Sequence, residues 1–170
     1  EQKGNLTIYR TKPKNIFFYT DAHKYNALSR LLWHMIDILH ISTAIWVRRK
    51  IIEIKPDIIH THNLMGLSFL IPKLLKKFKI KHIHTVHDVQ LVEPSGLILK
   101  EKDKSWRYTG LPIKIYAWIM KKFIGSPDVV ISPSQFLLNF YKKWGFFDRS
   151  HCYVLRNPIT FDMVVAKEKK

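Results

Sequence analysis

Cysteine is almost missing from this sequence: Cys152 is the only one among 170 residues. No internal disulfide can form, which sets aside the stapled secreted scaffolds and fits a reducing compartment. Glycine is also sparse, at six residues. None falls in a GxGxxG or GxxxxGK[ST] arrangement, and HExxH does not occur either. The cradles that hold dinucleotides and nucleoside triphosphates need glycines for close approach to phosphate. A nucleotide cofactor held by this chain alone is therefore disfavoured. Residues 31–47 are free of Lys, Arg and Glu, yet they carry His34, Asp37 and His40. A carboxylate there argues against a membrane-spanning helix. Residues 1–14 are polar, so no secretory signal is expected.

Acidic residues are scarce as well. Thirteen stand against 29 Lys and Arg, leaving a formal charge of +16. The excess clusters at Arg48-Arg49-Lys50, at Lys76-Lys77 with Lys79 and Lys81, at Lys121-Lys122 and at Lys142-Lys143. Three readings follow: a codon bias toward Lys on a solvated surface, an anionic membrane surface, and nucleic acid as the weakest of the three.

What is present is an ordinary globular composition, 46% hydrophobic and 25% charged, in a chain long enough for one core. From residue 57 onward short apolar strands alternate with helical patterns, which predicts an α/β domain with a parallel sheet. Strands are expected at Asp57-Ile-Ile-His-Thr-His62, His82-Ile-His-Thr-Val-His-Asp88, Asp128-Val-Val-Ile-Ser132 and Cys152-Tyr-Val-Leu155. Pro56 stops the helix before the first of them. Leu67, Leu70, Ile71, Leu74, Leu75 and Phe78 recur on one helical face, with Pro72 near its start. Pro112 opens a second helix that Gly125 ends, and Ser134 caps a third, closed by Gly145. Residues 6–10 read as a strand. Residues 28–54 read as helical with a break near Ser42, and residues 89–109 as a long loop.

Parallel strands joined by right-handed crossovers send their carboxyl ends to one edge, where such sheets bind ligands. His62-Asn63, His87-Asp88, Ser132 with Ser134, and Asn157-Pro158 arrive there. His60 with His62, and His82 with His84, alternate as strand pairs that zinc could use. Without a thiolate cluster, histidines held by hydrogen bonds are the expected reading. Ser132 and Ser134 are capping residues before they are ligand contacts. Trp33, Trp46, Trp118 and Trp144 read as core or interface.

Four segments together resemble glycosyltransferase family 4 (group 1). Lys55-Pro-Asp-Ile-Ile-His-Thr-His62 is similar to its "PDIVHxH" strand, and His82-Ile-His-Thr-Val-His-Asp88 to the strand ending in "T-x-H-D". Asp128-Val-Val-Ile-Ser-Pro-Ser134 resembles "D-x-V-I-x-x-S", and Val154-Leu-Arg-Asn-Pro-Ile159 resembles the stretch that closes the N-terminal domain. The resemblance implies a single Rossmann-like domain over residues 1–170, the acceptor-side half of a GT-B fold, and a retaining transferase working in polysaccharide biosynthesis. It implies a nucleotide-sugar co-substrate, no cofactor or metal, and a glycan or lipid-linked acceptor. His87 matches the family's catalytic histidine, leaving His62, Asn63, Asp88, Ser132 and Ser134 as acceptor contacts and Asp88 to orient the His87 ring. Family members begin with a strand and a Gly-rich loop and continue into a donor-binding domain, and neither is evident here. The expectation is an inactive half, cytoplasmic or peripheral on the inner membrane face. Its unpaired sheet position is open to self-association. The rival reading is a basic membrane- or nucleic-acid-binding module without catalysis.

Overall fold

The computed structural model describes residues 1–97 and 109–158. Its centre is a four-stranded parallel sheet of β3 (Ile58–Thr61), β4 (Lys81–Thr85), β5 (Val129–Ser132) and β6 (His151–Val154), in that order. The four strands expected from residue 57 onward all form: β3 and β5 are shorter than expected, β4 starts one residue earlier and stops at Thr85, and β6 is shifted one residue earlier. Three helices cross between them: α3 (Ile71–Phe78), α4 (Leu111–Ile124) and α5 (Gln135–Lys143). Every crossover steps one strand in the same direction. Right-handedness therefore puts all three helices on one face of the sheet.

Local chemistry sets the helix boundaries. Pro72 and Pro112 sit in the first turns of α3 and α4, where a missing N–H costs nothing. The Ser134 hydroxyl accepts from the Leu137 N–H at 3.2 Å and starts α5. Gly125 ends α4 at φ 63, a conformation that suits glycine best. The helix predicted from Leu67 begins only at Ile71, because residues 64–70 make turns first.

The strands alternate between two environments. Thr61, His82, His84, Val130 and Ser132 point into the helical layer and are buried. Leu75, Met120, Tyr141 and Phe146 complete that core. Ile58, His60 and Tyr153 point the other way and are exposed.

Ahead of the sheet come β1 (Gln2–Lys3) and β2 (Leu6–Thr7), a two-residue antiparallel hairpin. The strand predicted over residues 6–10 is thus cut to two residues and stays outside the main sheet. A 3-10 helix, Tyr19–Lys24, leads into α1 (Ala27–Ile38) and α2 (Ile41–Ile54). The expected break falls at Leu39 and His40. His40 Nε2 donates to the Lys14 carbonyl at 2.7 Å while its Nδ1 accepts from the Thr43 N–H, capping α2. Lys55 then turns left-handed at φ 51 and Pro56 follows. Residues 98–108 of the predicted long loop lie outside the described residues. No described helix is long and apolar enough to cross a membrane.

Candidate active site

Parallel pairing fixes what meets at the carboxyl edge. Thr61 of β3 is registered with His84 of β4, so the residues just beyond the two strands come side by side. His62 Nδ1 and His87 Nε2 lie 2.9 Å apart, with ring planes 25° from parallel. One of these nitrogens donates and the other accepts, so a single proton sits between two exposed imidazoles. The His60 ring packs 4.3 Å from His62, and His60 Nε2 reaches the Thr85 hydroxyl at 2.7 Å. Partial burial lowers the His62 pKa, and positive charge on His60 or His87 lowers it further. His62 is thereby held toward its neutral form.

Asp88 does not orient His87. Its carboxyl Oδ1 accepts from the Gln90 N–H at 2.8 Å, and its carbonyl accepts from the Tyr141 hydroxyl at 2.6 Å. The Asp88 side chain is thereby spent on its own turn, and His62 takes the role expected of it. Tyr141 also accepts from the Leu91 N–H at 3.3 Å, and Tyr116 donates to the Gln90 carbonyl at 3.1 Å. Two tyrosines from α4 and α5 hold the turn that carries His87. Burial pushes both phenols upward, so they remain donors.

Ser132 is fully enclosed, and its hydroxyl donates to the Ser134 carbonyl at 2.9 Å. In this conformation both serines shape the turn after β5, with Ser134 as a cap. Asn63 is exposed, and its Oδ1 accepts from the Met65 N–H at 3.1 Å. Asn63 and His87 line one small cleft with Tyr141. The structure therefore brings His62, Asn63, His87 and Asp88 together and leaves Ser132 and Ser134 as scaffolding.

The histidines of the helical face have another job. The Thr61 hydroxyl lies 2.7 Å from His82 Nε2 and 2.8 Å from His84 Nδ1. It can donate to one ring and accept from the other, satisfying a buried polar trio. Desolvation depresses His82 to about 4 and His84 to about 3. Among the described residues no group of three His, Cys, Asp or Glu side chains converges as metal ligands.

A parallel α/β layer with a histidine pair at its carboxyl edge defines a ligand-binding domain of the Rossmann-like type. The profile of Glycosyltransferase Family 4 matches residues 28–162. The chain belongs to that family. It is 30% identical, over 176 aligned residues, to an uncharacterized 42.6 kDa protein in the cps region of Klebsiella pneumoniae. The match takes in all of this chain and 46% of that protein. No solved structure matches.

Proposed function

We propose that this chain is the acceptor-side half of a retaining glycosyltransferase that builds a cell-envelope polysaccharide. The hydrogen-bonded pair of His62 and His87 at the carboxyl edge carries the reading. Family membership supports sugar transfer, and the cps-region relative supports a polysaccharide product. The donor is a nucleotide-sugar used as co-substrate. A second domain outside these 170 residues, in the same or another chain, supplies its main binding groups.

Transfer with retention develops positive charge on the sugar and negative charge on the departing phosphate. Preorganised groups that hold hydroxyls and face those charges lower the barrier once water is excluded. His87 fills that role with the nitrogen facing His62 fixed as donor or acceptor. His62 acts through His87 and beside the acceptor, with Asn63 next to it. No resident cofactor is required. The hydrogen bonds already made by His60, His82 and His84 fit this reading.

His87→Ala in the full-length gene product should lower turnover about 10²-fold or more, worth roughly 3 kcal/mol. Its melting temperature should hardly change, since the ring is exposed. His62→Ala should cost less. Near-normal turnover of purified His87→Ala would remove the assignment.

A further inference from the structure

Next to the histidine pair lies a second cavity, of about 400 Å3. Phe17, Phe18 and Trp33 wall it, together with Asp37, Asn63 and Gly66. That volume lies in the range of sites that hold small organic ligands. Asn63 lines both this cavity and the cleft at His87, so the two spaces adjoin.

Asp37 is only 2% exposed, an unusual place for a carboxyl group. Its Oδ1 accepts from the Gly66 N–H at 2.7 Å. Among the described residues Oδ2 has no hydrogen-bond partner, and no cation pairs with either oxygen. Burial raises this carboxyl to about 6, against the pull of the Gly66 N–H and of His40. Oδ2 is not sealed off, so water or a ligand in the cavity that Asp37 lines can serve it. Asn63 is the complementary case. Its Oδ1 is taken by the Met65 N–H, which leaves the two Nδ2 protons without a partner. Asn15 is more fully engaged: one Nδ2 proton goes to the Trp33 carbonyl and its Oδ1 accepts from the Ile16 N–H, which leaves it a single proton to offer.

The cavity thus presents a free acceptor and a free donor beside an aromatic wall. That wall is held in place: the Trp33 indole donates to the Phe17 carbonyl at 2.8 Å, and the Phe17 and Trp33 rings stack at 6.0 Å. A carboxylate without a counter-charge repels phosphate, so a nucleotide or phospholipid headgroup fits poorly. A hydrocarbon would leave the polar groups dry. A neutral sugar ring meets every requirement. One hydroxyl donates to Asp37 Oδ2, another accepts from Asn63 Nδ2, and the C–H face of the ring lies on Phe18, the exposed aromatic of the wall.

The geometry points to this cavity as the subsite for a neutral hexopyranose of the acceptor, anchored by Asp37 and Asn63. The assignment rests on reading the His62–His87 edge as the place of transfer. The test is nuclear magnetic resonance titration of the nitrogen-15-labelled chain with methyl α-glucopyranoside and methyl β-galactopyranoside. Inorganic phosphate and methylammonium serve as separate titrants. At least one glycoside should shift the Gly66 amide and the Asn63 side-chain amide and saturate. Asp37→Asn keeps the shape of the side chain and should weaken the binding about tenfold, roughly 1.4 kcal/mol. Phe18→Ala, at an exposed position, should also weaken it. Absence of shifts with both glycosides, equal affinity in both variants, or saturation by phosphate or methylammonium alone would each overturn the subsite. Because this is a binding measurement, it is independent of turnover. Glycoside binding with an unimpaired His87→Ala enzyme would leave the subsite standing while the transfer reading falls.

Discussion

Tyr141 illustrates how single residues hold this site from beneath. Its hydroxyl donates to the Asp88 carbonyl and accepts from the Leu91 N–H, and the side chain is 1% exposed. Tyr141→Phe keeps the ring but leaves two backbone groups unpaired in a dry place. The expected cost is about 1–3 kcal/mol, read as a lower urea midpoint with an unchanged slope. His82 and His84 make a second prediction, on pH. Their folded pKa values, about 4 and about 3, lie below the ordinary 6.5. Between those values the unfolded chain binds more protons than the folded one. Their contribution is complete above 6.5 and is lost as pH falls through that window. Asp37 works in the opposite sense. Its carboxyl, raised from 3.8 to about 6, contributes stability that is full below 3.8 and lost as pH rises through 6. At roughly 1.4 kcal/mol per unit, two histidines outweigh one carboxyl. Melting temperature should therefore fall between pH 6.5 and about 4, and a flat profile there would contradict the burial of the pair.

At the level of elements, α1 presents a face that the described core does not use. Leu28, Leu31, Leu32, Met35 and Leu39 follow helical spacing and are all exposed. Trp33 and Asp37 occupy the opposite, buried side. The stretch from Trp33 to Lys50 does not form one continuous amphipathic helix. The helix breaks at Leu39 and His40, and Trp33 is buried with its indole committed to Phe17. If the domain seats on a lipid surface, the apolar stripe of α1 is the contact, with the cations of the chain drawn to anionic headgroups. Leu31→Glu combined with Met35→Glu should abolish co-sedimentation with phosphatidylglycerol vesicles while leaving the circular dichroism spectrum intact. Unchanged sedimentation would assign the stripe to another partner.

For the whole molecule the distribution of charge matters more than its sum. A cleft of about 460 Å3 opens at the amino edge of the sheet, lined by Lys73, Lys76, Lys79, Lys81, Lys122 and Arg149. Asp128 is the single acid among its described lining residues, 3.6 Å from Lys81. That cationic cleft lies across the sheet from the histidine pair. The carboxyl edge, where a donor pyrophosphate would arrive, is built mainly of histidine, asparagine and aspartate. Calorimetric titration of this chain with UDP- and GDP-sugars should therefore find no binding tighter than about 10 μM, some −7 kcal/mol. A tighter constant would mean that the donor groups reside in these 170 residues after all.

Much of this architecture is legible in the chain because it depends on neighbours in sequence. Val129–Ser132 is a strand through its apolar run, α5 starts at a serine cap, and α4 ends on a glycine; each decision is taken within one turn or one strand. Right-handed crossover then carries His62 and His87 to a common edge without further information. The N-terminal segment was less legible. Residues 6–10 alternate like a strand, but their pairing depends on Gln2 and Lys3 rather than on the sheet.

Pattern and spacing alone determined the parallel α/β order, the caps of α4 and α5 and the residues at the carboxyl edge. Only packing decided which of those residues touch. His87 pairs with His62, 25 positions away, because β3 and β4 align Thr61 with His84; Asp88, its neighbour in sequence, turns back onto Gln90. Asp37 read only as a charge unsuited to a membrane. It became a buried acceptor because α1 packs where Gly66, 29 positions later, offers its N–H. Such contacts join segments far apart in the chain, so their partners depend on register and on the layering of helices over the sheet, which no local pattern contains.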